Sequence, residues 1–170
     1  MVSRQLILSI GPLHIFVSHV FANPNERAVV RRFISHILRP KIDYVHSEPS
    51  LTHQLHSLSR KTIQKRLERR IAASDVIVVV ATAAAEARFW IRWEIKTALK
   101  LGKPIVLVHP EGRAPPAFNL AQFVGEPAVR IENLPAALWE KLPQEARMRL
   151  QDVRRKELEG LFDRRPHRKL

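Results

Sequence analysis

Trp90 and Glu94 lie four residues apart in the run Trp90-Ile91-Arg92-Trp93-Glu94, the spacing that stacks two side chains on one flank of an α-helix. A carboxylate beside a large ring is partly shielded from water, which favours its neutral form and aims it at whatever stacks on that ring. The competing reading is a surface glutamate in a helical salt bridge. That would call for Lys or Arg three or four positions away, where the chain has Trp90, Ile91, Thr97 and Ala98. The spacing alone leaves both readings open.

Other candidate chemistry is thinner. His53-x-x-His56 has helical metal-ligand spacing, but the chain has no cysteine and no well-placed carboxylate to complete a site, so no metal is expected. Ser18 and His19 are adjacent; in a strand they point to opposite faces and cannot pair as nucleophile and base. Five glycines form no GxGxxG or Walker pattern, so no tightly held nucleotide cofactor is expected.

The elements that must position these residues follow from periodicity. Leu6 to Ile10 reads as a leading strand or ordered arm; Gly11-Pro12 interrupts it and argues against a secretion signal. His14 to Ser18 is the first core strand. Asn23-Pro24-Asn25-Glu26 starts a helix, with cap, N1 proline and N3 glutamate in place, and Val29, Val30, Phe33, Ile34, Ile37 and Leu38 form its apolar stripe. Lys41 to His46 is a second, edge-like strand, and Ser47 to Arg60 a long loop. Ile63, Leu67 and Ile71 mark one face of a basic helix. Asp75 to Val80, with five consecutive β-branched residues, belongs at the centre of a parallel sheet.

The next helix is expected from about Ala84 to Gly102, with Ile91, Ile95, Ala98 and Leu99 as its core stripe and Trp90 and Glu94 on the adjacent flank. Ile105 to Val108 is a strand, the stretch around Gly112, Pro115 and Pro116 a loop, and Ala128 to Ile131 a fifth strand. Helices over Ala136 to Leu142 and from Pro143 to about Phe162 follow, the second striped by Leu150, Val153, Leu158 and Leu161. Alternation of strands and helices predicts an α/β fold: a flavodoxin-like, doubly wound parallel sheet of about five strands with a ligand crevice at the strands' carboxyl ends. The expected organisation is a domain over 1–133 and a C-terminal helical extension with a basic tail over 134–170.

Composition bounds the partners. The 170 residues suffice for a single core without disulfides or metals. The formal charge of +13 draws the chain to anions. Six basic residues lie between Arg60 and Arg70, and nine between Arg147 and Lys169 against four acids. No base-reading motif accompanies them, so contact with nucleic acid is expected to be non-specific only. No apolar run reaches the roughly 18 residues of a membrane span, and a cytoplasmic location fits.

Trp90-Ile-Arg-Trp-Glu94-Ile95, with Ala98-Leu99, Gly102-Lys103 and Ile105-Val106, resembles the third helix and fourth strand of TIR domains. It is most similar to the TIR-like subunit of bacterial Thoeris anti-phage defence. Phe16-Val17-Ser18-His19 resembles the first strand of that branch, and Ser74 to Val79 its central strand; the likeness runs from about residue 13 to 110. The resemblance implies an enzyme that splits NAD at the nicotinamide–ribose bond, with Glu94 catalytic and Trp90 near the substrate. Ser18, His19 and Phe21 would help form the crevice. NAD would be substrate, and the product ADP-ribose or a cyclic isomer serving as a signal to a separate effector. It implies self-association through TIR surfaces as well. Two alternatives share the fold: a non-catalytic TIR assembly module, and a nucleoside deoxyribosyltransferase-like enzyme, which lacks the tryptophan motif.

Overall fold

The structure is a computed structural model that describes residues 5–10, 13–19, 44–47, 59–82, 85, 87–109 and 118–163. Its centre is β4 (Val76–Val80), whose five β-branched residues are all at most 1% exposed. Parallel neighbours flank it: β2 (Leu13–Ser18) pairs Ile15 with Val76, and β5 (Ile105–His109) pairs Ile77 with Ile105. A short β6 (Val129–Arg130) continues the parallel run, opposite Val108 and His109.

The other side of the sheet departs from the expected all-parallel, five-stranded arrangement. β1 (Gln5–Ile10) pairs antiparallel with β2, Ile10 opposite Leu13. The two residues between them leave no length for a crossover, so only antiparallel pairing is open to this strand. β3 (Tyr44–Ser47) then pairs antiparallel with β1 rather than lying beside β2. The result is a six-stranded mixed sheet in the order β3-β1-β2-β4-β5-β6, of which four consecutive strands are parallel. The edge position expected for the second strand is the one β3 occupies.

The two-residue period of the strands sorts their side chains between two helical layers. Phe16, Ile77, Val79, Ile105 and Leu107 face α1 (Arg60–Ala73), α2 (Phe89–Lys100) and α3 (Phe118–Val124), meeting Ile71, Ile91, Ile95, Ala98 and Leu120. Leu13, Ile15, Val17, Val76, Val78, Val80, Val106 and Val108 face the other way. They meet Leu134 and Leu138 of α4 (Leu134–Lys141), Leu142, and Ala146 of α5 (Gln144–Asp163). A short 3-10 turn, Ile131–Asn133, leads into α4. The C-terminal helices therefore close one face of the core.

Local chemistry explains the helix ends. Ser59 caps α1 by accepting the Thr62 N–H at 3.3 Å, and Ile63, Leu67 and Ile71 form its buried stripe as expected. α2 begins at Phe89, five residues later than expected, because Arg88 is extended (φ −92°, ψ 123°) and supplies no side-chain cap. At its other end Gly102 takes φ 62°. Its N–H donates to the Leu99 carbonyl at 3.0 Å, and the Lys103 N–H to that of Ala98 at 2.9 Å, the paired bonds of a Schellman motif.

α3 falls between the loop expected around Gly112, Pro115 and Pro116 and the strand expected from Ala128. It is a two-turn helix with no polar cap to announce it, held by burial of Leu120. Asp75, just ahead of β4, accepts the His14 N–H at 2.9 Å and pairs with Arg149 of α5 at 2.6 Å. The helix expected from Asn23, His53-x-x-His56 and the loop around Gly112 lie outside the described residues, as does most of the 47–60 loop.

Candidate functional site

The site begins with strand parity. Phe16 of β2 points into the α1–α2–α3 layer, so Ser18, two residues on and at the strand's carboxyl end, points there too. On α2 the buried positions are Ile91, Glu94, Ile95, Thr97 and Ala98. Ile91, Glu94, Ile95 and Ala98 fall at i, i+3, i+4 and i+7, one face of a helix. Glu94 is thus a member of the buried stripe, whereas Leu99, expected there, is 45% exposed. The reason is angular: a stripe centred between Ile91 and Ala98 is flanked by 94 and 95, and places 99 at its margin.

Ser18 and Glu94 meet across this layer. The Ser18 hydroxyl donates to Glu94 Oε2 at 2.5 Å, and both residues are 0% exposed. Burial disfavours a charged carboxylate, while a donated hydrogen bond favours it. The hydroxyl therefore offsets part of the cost of enclosing Glu94, and it fixes the carboxylate at the carboxyl end of β2, beside β4. Open α/β sheets place ligands at this edge. The partner that local sequence could not supply lies 76 residues away.

Among the other expected site residues, His19 is buried at 3% exposure directly after β2. Trp90 is half-buried and makes edge-to-face contacts with Phe89 (5.4 Å between centroids) and Trp93 (6.0 Å). Phe21 lies outside the described residues. The sequence reading passed over His109, which ends β5 and is 6% exposed. By parity with Ile105 and Leu107 it shares the face of Ser18. Its available signal was a histidine closing an apolar strand at the carboxyl edge of a parallel sheet. Among the described residues no group of three or more His, Cys, Asp or Glu could hold a metal.

Four parallel strands of an α/β sheet with helices on both faces, and an enclosed carboxylate at their carboxyl edge, define the class as a doubly wound domain of TIR-like architecture. The family model for the Thoeris protein ThsB, TIR-like domain, matches residues 16–115, and the chain belongs to that family. The match includes Ser18, His19, Trp90, Glu94 and His109, and connects the chain with the TIR-like modules of anti-phage defence. No curated protein and no solved structure matches the chain. No helix among the described residues is long and apolar enough to cross a membrane.

Proposed function

We propose that the chain is an NAD-cleaving enzyme of Thoeris defence, with Glu94 as its catalytic carboxylate. The observation that carries this reading is the enclosed Ser18–Glu94 pair at the carboxyl edge of β2, inside a segment matched to the Thoeris TIR-like family. In the reaction, the bond between C1′ of the ribose and the nicotinamide nitrogen breaks with its electron pair going to nicotinamide, which leaves neutral. The ribose passes through an oxocarbenium-like state, which Glu94 stabilises by its negative charge while accepting a ribose hydroxyl. Water then attacks C1′ and loses a proton to give ADP-ribose; attack by a nitrogen of the adenine gives a cyclic product.

Ser18 orients the carboxylate, and His19, Phe21 and Trp90 line the crevice in this reading. Self-association through TIR surfaces and a separate effector that receives the nucleotide signal are its expected partners. The complete enclosure of Glu94 has a kinetic implication: substrate reaches it only after the site opens, so turnover is low until a trigger or assembly opens it. The same enclosure favours a second reading, a non-catalytic assembly module in which Glu94 is a structural core residue.

Nicotinamide release from NAD by purified protein, measured at low and high protein concentration beside Glu94→Gln, separates the two. Release by the wild type that the substitution abolishes supports the enzyme. Equal release from both proteins removes Glu94 from the mechanism, and no release under any assembly condition favours the module.

A further inference from the structure

The side of α2 opposite Glu94 carries a second pattern. Phe89, Arg92 and Lys96 fall at i, i+3 and i+7, a single outward line. Phe89 is 48% exposed, with the Arg60 guanidinium of α1 3.9 Å from its ring centroid. One helix over, Phe123 of α3 is 42% exposed, with Lys96 Nζ 5.9 Å from its centroid. Between α2 and α3 runs a groove of about 170 Å³ lined by Arg92, Lys96, Asn119, Leu120 and Phe123. Among the described residues no carboxylate forms an ion pair with Lys96.

Exposed rings alternating with cations on a chain of net charge +13 suit a ligand that is polyanionic and carries flat rings of its own. The geometry points to single-stranded nucleic acid, bound across α1, α2 and α3 with bases stacked on Phe89 and Phe123 and phosphates on Arg60, Arg92 and Lys96. Stacking on a phenyl ring tolerates any base, so the binding is sequence-independent. A duplex hides its base faces and meets only the cations. This surface is separate from the Ser18–Glu94 pair and does not depend on NAD cleavage.

The test is fluorescence anisotropy of the full chain with a short labelled oligothymidylate, alongside a duplex of equal length and free thymidine monophosphate as competitor. Phe89→Ala and Phe123→Ala, both at exposed rings, should each weaken single-strand binding by about tenfold, the loss typical of one base–aromatic stack. Lys96→Ala should reduce the slope of log affinity against log salt by about 0.7, one phosphate contact on a single strand. Lys65→Ala and Arg69→Ala, on the exposed side of α1, should change affinity much less. The proposal is overturned if both phenylalanine variants bind as wild type does, or if the duplex binds as tightly as the single strand, since diffuse charge then suffices. It is equally overturned if the free nucleotide matches the oligonucleotide, which would make the groove a mononucleotide pocket. Thermal melts of each variant verify that the fold is retained.

Discussion

Ser18→Ala removes the hydroxyl that donates to Glu94 Oε2 and leaves the rest of the core in place. A hydrogen bond to a charged group is worth about 1.5–3 kcal/mol, and a buried acceptor left short of a donor keeps its desolvation cost. With both residues fully enclosed and 2.5 Å between the oxygens, the loss should fall inside that range. For a chain of this length about 2 kcal/mol corresponds to a fall in Tm of roughly 4–8 °C. The assay is urea denaturation of wild type, Ser18→Ala, Glu94→Gln and the double variant. Glutamine is nearly isosteric and still accepts the hydroxyl hydrogen, but without the charge. The Ser18→Ala loss should therefore shrink in the Glu94→Gln background, giving a coupling energy of about 1 kcal/mol or more. Additivity within ~0.5 kcal/mol would mean that the charge on Glu94 adds nothing to the hydrogen bond from Ser18, and the account of how an ionised Glu94 is held would be wrong.

Asp75→Ala should cost about 1–2 kcal/mol in denaturant titration, because it removes the carboxylate that accepts the His14 N–H and pairs with Arg149. Arg149→Ala should cost about 1 kcal/mol or less, since its side chain is 41% exposed. Gly102→Ala should destabilise by about 1–2 kcal/mol through its positive φ alone, for a Cβ there would meet no atom within 4 Å; a thermal melt reads it. Ile95→Ala should cost ~2–5 kcal/mol, while Leu99→Lys should stay within about 0.5 kcal/mol, and the same titration distinguishes the buried stripe from its margin.

Local signals carried the parts of the fold that local physics determines. Five β-branched residues mark β4 because only a strand buried on both faces tolerates them in a row, and Gly102 marks the end of α2 because a left-handed residue must close it. Leu99 was misread for a definable reason: positions 91, 95, 98 and 99 fit a helical stripe as well as 91, 94, 95 and 98 do. A rule that sends apolar residues inward passes over a buried carboxylate. Ser18 helps to admit Glu94 to the core, and its approach depends on pairing between β2 and β4 and leaves no trace near residue 94. The insertion of β1 between β2 and β3 was half legible. Two intervening residues dictate an antiparallel partner for β2, but nothing near Tyr44 shows that β3 pairs with β1. α3 escaped because seven residues present only two turns, and prolines nearby suggest a loop.

The Asp75 junction also bears on the order in which the molecule is made. Its bonds reach 61 residues back to His14 and 74 residues forward to Arg149, and Ala146 seals the same core face as Leu13 and Val76. Contacts so distant in sequence form late, since their loops must close before they stabilise anything. Among the described residues, the helices that cover this face of the β2–β4–β5 sheet are α4 and α5, so that part of its burial waits until they leave the ribosome. A nascent chain stalled before residue 134 would lack the contacts that Val76, Val78, Val106 and Val108 share with Leu134, Leu138, Leu142 and Ala146, leaving apolar surface that a chaperone would hold or a protease would find.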